Sequence, residues 1–71
     1  MKPTFYEYIR RFVDFDAKDP MSRLANIVQR DIAFPKQSKD FEELSNYLEH
    51  NPEYGKLLVV FDDAWRDYQY E

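Results

Sequence analysis

Apolar and polar positions alternate along this chain with the three-to-four-residue rhythm of amphipathic helices, most plainly near its end. In Leu57–Tyr68, LLVVFDDAWRDY, five consecutive apolar residues lead into Trp65 and Tyr68. On a helix, Tyr54, Leu57, Leu58, Phe61, Ala64, Trp65 and Tyr68 form one stripe, with Val59 and Val60 spilling off it. A helix that apolar is usually contacted from several sides, so it is expected to be the post of the fold, with Trp65 packed by at least two other helices.

The same rhythm opens the chain. A first helix is predicted from Phe5 to Asp14, with Phe5, Tyr8, Ile9, Phe12 and Phe15 on one face and Tyr6 and Val13 widening it. Thr4 and Glu7 have capping-box spacing, and Glu7 with Arg11 makes a favourable i,i+4 pair. After a connection over Phe15–Asp19, Asp19-Pro20 supplies a cap followed by proline at the first helical position. Met21, Leu24, Ala25, Ile27, Val28 and Ile32 then form a broad apolar face, ended by Phe34-Pro35 because residues before proline avoid the α region. Asp31 falls inside that face. A partly buried carboxylate there is expected to accept N–H groups of the following turn or to pair with a base, the alternative being a functional pocket.

Pro35–Lys39 is the longest polar connection. Asp40 and Glu43 repeat the capping-box spacing ahead of a short helix ending near His50, lined by Phe41, Leu44 and Leu48 and flanked by Tyr47. Asn51-Pro52 repeats the cap-plus-proline signal, and Gly55 leaves open whether Pro52–Gly55 belongs to the last helix or forms a separate turn. Asp62 and Arg66 are a further i,i+4 pair, and Asp63 repels Asp67 weakly. Four helices, five if the Pro52 turn stands alone, with short connections and no strand pattern predict one compact all-α domain over residues 1–71. Its expected core anchors are Phe5, Phe12, Leu24, Phe34, Phe41, Leu44, Leu48, Phe61, Trp65 and Tyr68.

Composition narrows how such a domain is held together. Ordering 71 residues costs on the order of 100 kcal/mol of conformational entropy, and without cysteine neither a disulfide nor a thiolate metal site can help. Burial must supply nearly all the stability, which suits an aromatic content of 18%. No apolar run approaches membrane-spanning length and no signal peptide is evident, so a soluble cytoplasmic protein is expected. Charge is unevenly placed: residues 1–40 carry eight bases and six acids, and residues 41–71 carry two bases and eight acids, for a net −4. That balance differs from the strongly basic one of phosphate-backbone binders.

The set Phe34-Pro35-Lys36, Ser38, Asp40-Phe41, Ser45, Tyr47-Leu48-Glu49, Phe61-Asp62-Asp63-Ala64-Trp65 and Tyr68, with Phe5-Tyr6 and Asp31, resembles the YozE-like family of small bacterial proteins. The resemblance covers nearly the whole chain. It implies a SAM-like fold, a small bundle of two roughly orthogonal helical hairpins. It brings no established activity and no catalytic residue; a nucleic-acid role is suggested for the family only by structural analogy, and fold does not fix function.

A direct search for chemistry finds little. His50 is the one histidine and sits near a helix C-terminus, where the helix dipole favours its charged form. Adjacent Asp62 and Asp63 point about 100° apart on a helix and make no dyad. With Asp67 they read as a solvated face rather than a hard-metal site. No enzyme, cofactor or metal is expected. Two function classes remain. One is a protein-interaction module using apolar residues off the main stripes: Tyr6, Val13, Val59 and Tyr70. The other is weak, sequence-independent nucleic-acid binding through Arg10, Arg11, Lys18, Arg23, Arg30, Lys36 and Lys39, against which stand the lone Gly55 and the absence of a glycine-rich amide turn. A contiguous apolar patch favours the first and a contiguous basic surface the second.

Overall fold

Thr4 starts the first helix as its spacing requires: the hydroxyl oxygen accepts the Glu7 N–H, and the Glu7 carboxylate accepts the Thr4 N–H at 3.0 Å. The computed structural model describes residues 2–70. Its elements are α1 (Phe5–Ile9), continued by a 3₁₀ turn over Arg10–Phe12, then α2 (Pro20–Arg30), α3 (Phe41–Glu49), a second 3₁₀ turn over Pro52–Leu57, and α4 (Leu58–Tyr68). No strand occurs among the described residues.

The first helix is shorter than its apolar pattern. The Asp14 N–H donates to Asn26 Oδ1, and Asn26 Nδ2 donates to the Asp14 carbonyl, both at 3.0 Å. This clasp pins the chain to α2 and replaces the helical hydrogen bonds that Asp14 would otherwise make. Val13 is extended, and Phe15 falls off the shared face to lie 62% exposed, with the Arg30 guanidinium 5.7 Å from its ring centroid. Phe12, expected as an anchor, only packs against the edge of the core.

Asp19 caps α2 through the Ser22 N–H at 3.1 Å, with Pro20 at the first position. The helix stops at Arg30, four residues before Phe34, because the Asp31 carboxylate accepts the Ala33 N–H at 3.0 Å and closes a local turn. Ile32 therefore leaves the apolar face and lies 91% exposed. Asp40 caps α3 through Glu42, and its own N–H goes to Ser38 Oγ at 3.2 Å. That donor is the one Glu43 was expected to satisfy, so no capping box closes there. Asn51 caps the second 3₁₀ turn through Glu53, and the turn stands apart from α4. Arg66 pairs with Asp63 at 3.1 Å, one step nearer than the expected Asp62.

The last helix is the post. It packs against α1, α2, α3 and the turn before it. Phe5 sits at the centre of its aromatic contacts, 5.3 Å from Phe61 and 5.5 Å from both Trp65 and Tyr68, centroid to centroid. Tyr68 reaches back across the bundle, its hydroxyl donating to the Pro3 carbonyl at 2.6 Å. Leu24, Leu44, Leu48, Phe34, Phe61 and Tyr68 are buried as expected. Trp65 touches Phe5 of α1 and Phe41 of α3 but keeps one side open. Phe41 stacks on Phe61 at 5.5 Å yet remains 38% exposed, since it is the first residue of α3 and has only α4 beside it.

Candidate functional site

Burial of Leu24, Ala25 and Val28 against the core fixes the roll of α2 and leaves Arg23, Ile27 and Arg30 on its flank. The Pro52–Leu57 turn packs along that flank. Between them runs a groove of two adjoining hollows, about 490 and 410 Å³, which share Ile27, Arg30 and Glu53. One hollow adds Arg23, Lys56 and Leu57; the other adds Asp31, Ile32 and Asn51.

Asp31 fixes this geometry. Its Oδ2 accepts the Tyr47 hydroxyl at 2.5 Å and the Tyr54 hydroxyl at 2.8 Å, so one carboxylate ties the end of α2 to α3 and to the turn. Tyr54 is fully buried and wedges the turn against α2. Burial alone would raise the Asp31 carboxyl, but the two hydroxyls, the Ala33 N–H and nearby Lys36 hold it below the usual carboxylate range. The same burial and the adjacent carboxylate push the Tyr54 hydroxyl far up, so it remains a donor.

Charged side chains of both signs line the groove. Arg23, Arg30 and Lys56 face Glu53 in one hollow, while Arg30 faces Asp31 and Glu53 in the other. None of the three cations is in an ion pair among the described residues, where the one pair is Arg66–Asp63. Ile27 and Leu57 add apolar lining to one hollow, and Ile27 and exposed Ile32 to the other.

The seven basic residues of the nucleic-acid expectation have different neighbours. Arg23 and Arg30 line the groove. Arg10 and Lys36 lie 5.6 and 5.7 Å from the Tyr6 ring centroid, and Lys39 acts on neighbouring Glu7. Arg11 lies over Tyr8, and Lys18 is exposed in the connection before α2. Lys56 joins the groove although it belongs to the acidic half of the chain; only the pairing of the turn with α2 brings it there. His50 caps α3, with Nδ1 2.7 Å from the Asn46 carbonyl. Among the described residues no three His, Cys, Asp or Glu side chains are grouped to hold a metal ion, and no helix is long and apolar enough to cross a membrane.

The family model described as YozE SAM-like fold matches residues 4–70. The chain belongs to this family. Among its YozE-family relatives, a UPF0346 protein of Geobacillus kaustophilus is 45% identical over 71 residues, covering all of this chain and 99% of the relative. UPF0346 proteins of Lactiplantibacillus plantarum and Lactococcus lactis are 47% and 48% identical, over 96% and 92% of this chain and 93% and 94% of their own lengths. These names state no activity, substrate or partner. No solved structure matches the chain significantly. The YozE-family domain is thus an all-α SAM-like bundle, with a groove beside α2.

Proposed function

We propose that this YozE-family domain is a cytoplasmic, non-enzymatic protein-interaction module whose docking surface is the groove between α2 and the Pro52–Leu57 turn. What supports this reading is one feature: three cations outside any ion pair line a hollow together with apolar Ile27 and Leu57, in a chain with an excess of acids. Charges left unpaired at a concave apolar surface are what a partner's complementary groups can neutralise. Ile32, 91% exposed at the lip, adds apolar area that the fold itself does not use.

Capture from nuclease-treated bacterial lysate, comparing the wild type with Ile32→Glu, tests it. The substitution sits in solvent and is expected to leave stability within about 0.5 kcal/mol. A defined protein retained by the wild type and lost by the variant supports the module. Equal retention by both, or loss on nuclease treatment, refutes it.

A second reading is weak nucleic-acid binding, favoured by Arg10 and Lys36 gathered at the Tyr6 ring. Fluorescence anisotropy at about 50 mM salt, where the Debye length is roughly 14 Å, gives attraction its best chance. Binding should then weaken with salt at a log–log slope of roughly −2 to −4 and vanish in the Arg10→Glu, Lys36→Glu variant. No binding tighter than about 100 μM, the weak end of non-specific association, removes this reading.

A further inference from the structure

We infer that the hollow lined by Arg23, Arg30 and Lys56 takes a short acidic partner segment in which one apolar side chain is flanked by carboxylates. This rests on the interaction-module reading and specifies the chemistry of its partner.

Arg23, Ile27 and Arg30 follow one another at four and three residues on α2, so they share one stripe with the apolar side chain between the two bases. Along the helix axis, Ile27 stands about 6 Å from Arg23 and about 4.5 Å from Arg30. Lys56 and Leu57, on the neighbouring turn, complete a lining in which three bases meet one acid, Glu53. Carboxylates on the adjoining segments are engaged elsewhere. Asp19 accepts the Ser22 N–H and Asp14 the Asp16 N–H. Asp31 accepts Tyr47, Tyr54 and Ala33, and Lys36 stands beside it on the Ile32 carbonyl. The lining of this hollow is therefore net positive in a chain of net charge −4.

Its walls are set without a partner. Asn26, in the same lining, is clasped to the Asp14 backbone, and Tyr54 anchors the turn on Asp31. The Arg30 guanidinium lies 5.7 Å from the Phe15 ring centroid. A site already held in shape loses less freedom on binding. Carboxylates on either side of an apolar group can neutralise the bases while that group covers Ile27 and Leu57. A nucleic-acid strand matches the charge alone. No aromatic ring is among the lining residues for a base to stack on, and the net acidic chain repels a long polyanion beyond the hollow.

Nitrogen-15 correlation spectra of the full chain test the inference with acetylated, amidated peptides. The probe is Glu-Glu-Leu-Glu-Glu. Lys-Lys-Leu-Lys-Lys reverses its charge, and Glu-Glu-Ser-Glu-Glu removes its apolar group. The net charge of −4 favours the lysine peptide at long range, so a preference for the probe has to come from the local cations. The probe should shift amides of residues 23–30 and 53–57 and bind at least about tenfold more tightly than either control. Arg23→Glu combined with Lys56→Glu should lower its affinity by about tenfold or more. The spectrum of that variant also reports whether it folds. Should it fail to fold, Lys56→Glu alone, in an exposed position, carries the same comparison.

If either control binds these residues as tightly as the probe, the inferred chemistry is wrong while the docking surface stands. Hexathymidylate binding there as tightly as the probe overturns the inference in favour of a phosphate ligand. If no peptide shifts these residues, the inferred partner chemistry is refuted; the lysate comparison with Ile32→Glu then decides separately whether the module reading falls with it. Shifts of the same amides on dilution of the free protein would mean that a second copy fills the hollow, which also overturns the inference.

Discussion

Replacing Asp31 by alanine takes one acceptor from three donors at once, and the three differ in how they recover. Ala33 is exposed and Tyr47 only partly buried, so water can reach both. The Tyr54 hydroxyl belongs to a fully buried residue whose one hydrogen-bond acceptor is Asp31. Stranding such a group costs about 1–3 kcal/mol, and losing the two recoverable bonds adds a fraction of that, so Asp31→Ala should destabilise by about 2–3 kcal/mol. A domain of this size has roughly 4–10 kcal/mol in all. Urea melts at neutral pH, with a slope near 1 kcal/mol/M for so small a chain, should show the midpoint falling by about 2–3 M. Tyr54→Phe keeps the ring and deletes the donor, at a cost of about 1–2 kcal/mol. In the Asp31→Ala background that change should cost almost nothing, because the hydroxyl is already unpartnered. If Asp31→Ala costs less than about 1 kcal/mol and the two substitutions add within about 0.3 kcal/mol, the lock between α2 and the turn does not exist.

Other outcomes follow from the same geometry. The folded Asp31 carboxyl is held below its unfolded value of 3.8, so its stabilisation is present above that pH and lost as pH falls through the folded value. The gap between wild type and Asp31→Ala should accordingly narrow in acid melts below about pH 4. Trp65→Ala should cost about 2–3 kcal/mol by urea denaturation, below the 3–5 typical of a wholly enclosed tryptophan, because the ring keeps a solvent-facing side. Asn26→Ala opens the clasp on Asp14 and should cost about 1–3 kcal/mol, with faster amide exchange at Asp14. Gly55→Ala should stabilise by about 0.4–1 kcal/mol in the same melts, since Gly55 has negative φ and a Cβ there meets nothing within 4 Å.

Caps were legible in the sequence because they are local. Thr4, Asp19 and Asn51 each satisfy an N–H two or three residues on, and a short polar side chain before a helix-forming run announces this. The stripe of α4 was legible for the same reason, since its period is written in consecutive residues. What could not be read is what distant residues decide. Asn26 ends the first helix from twelve positions away, and nothing near Val13 signals a stop. Asp31 stood out as a carboxylate on an apolar face, and one of its donors, Ala33, is a neighbour. The other two lie sixteen and twenty-three residues further on; a tyrosine in an apolar stripe reads as packing and does not disclose where its hydroxyl points. Lys56 was counted with the acidic half and reached the groove only through that same Tyr54 anchor.

Packing and charge meet at Asp31. Its carboxylate holds the wall of the groove in place through Tyr54 and also brings a charge to the lining of one hollow. Asp31→Asn separates the two roles. The amide keeps a carbonyl oxygen that can accept the Tyr54 hydroxyl, while the charge is gone. A neutral acceptor makes a weaker bond than a carboxylate, so about 1 kcal/mol of stability should be lost, less than in Asp31→Ala. A loss in urea melts equal to that of Asp31→Ala would mean that the charge, and not the position of the acceptor, holds Tyr54.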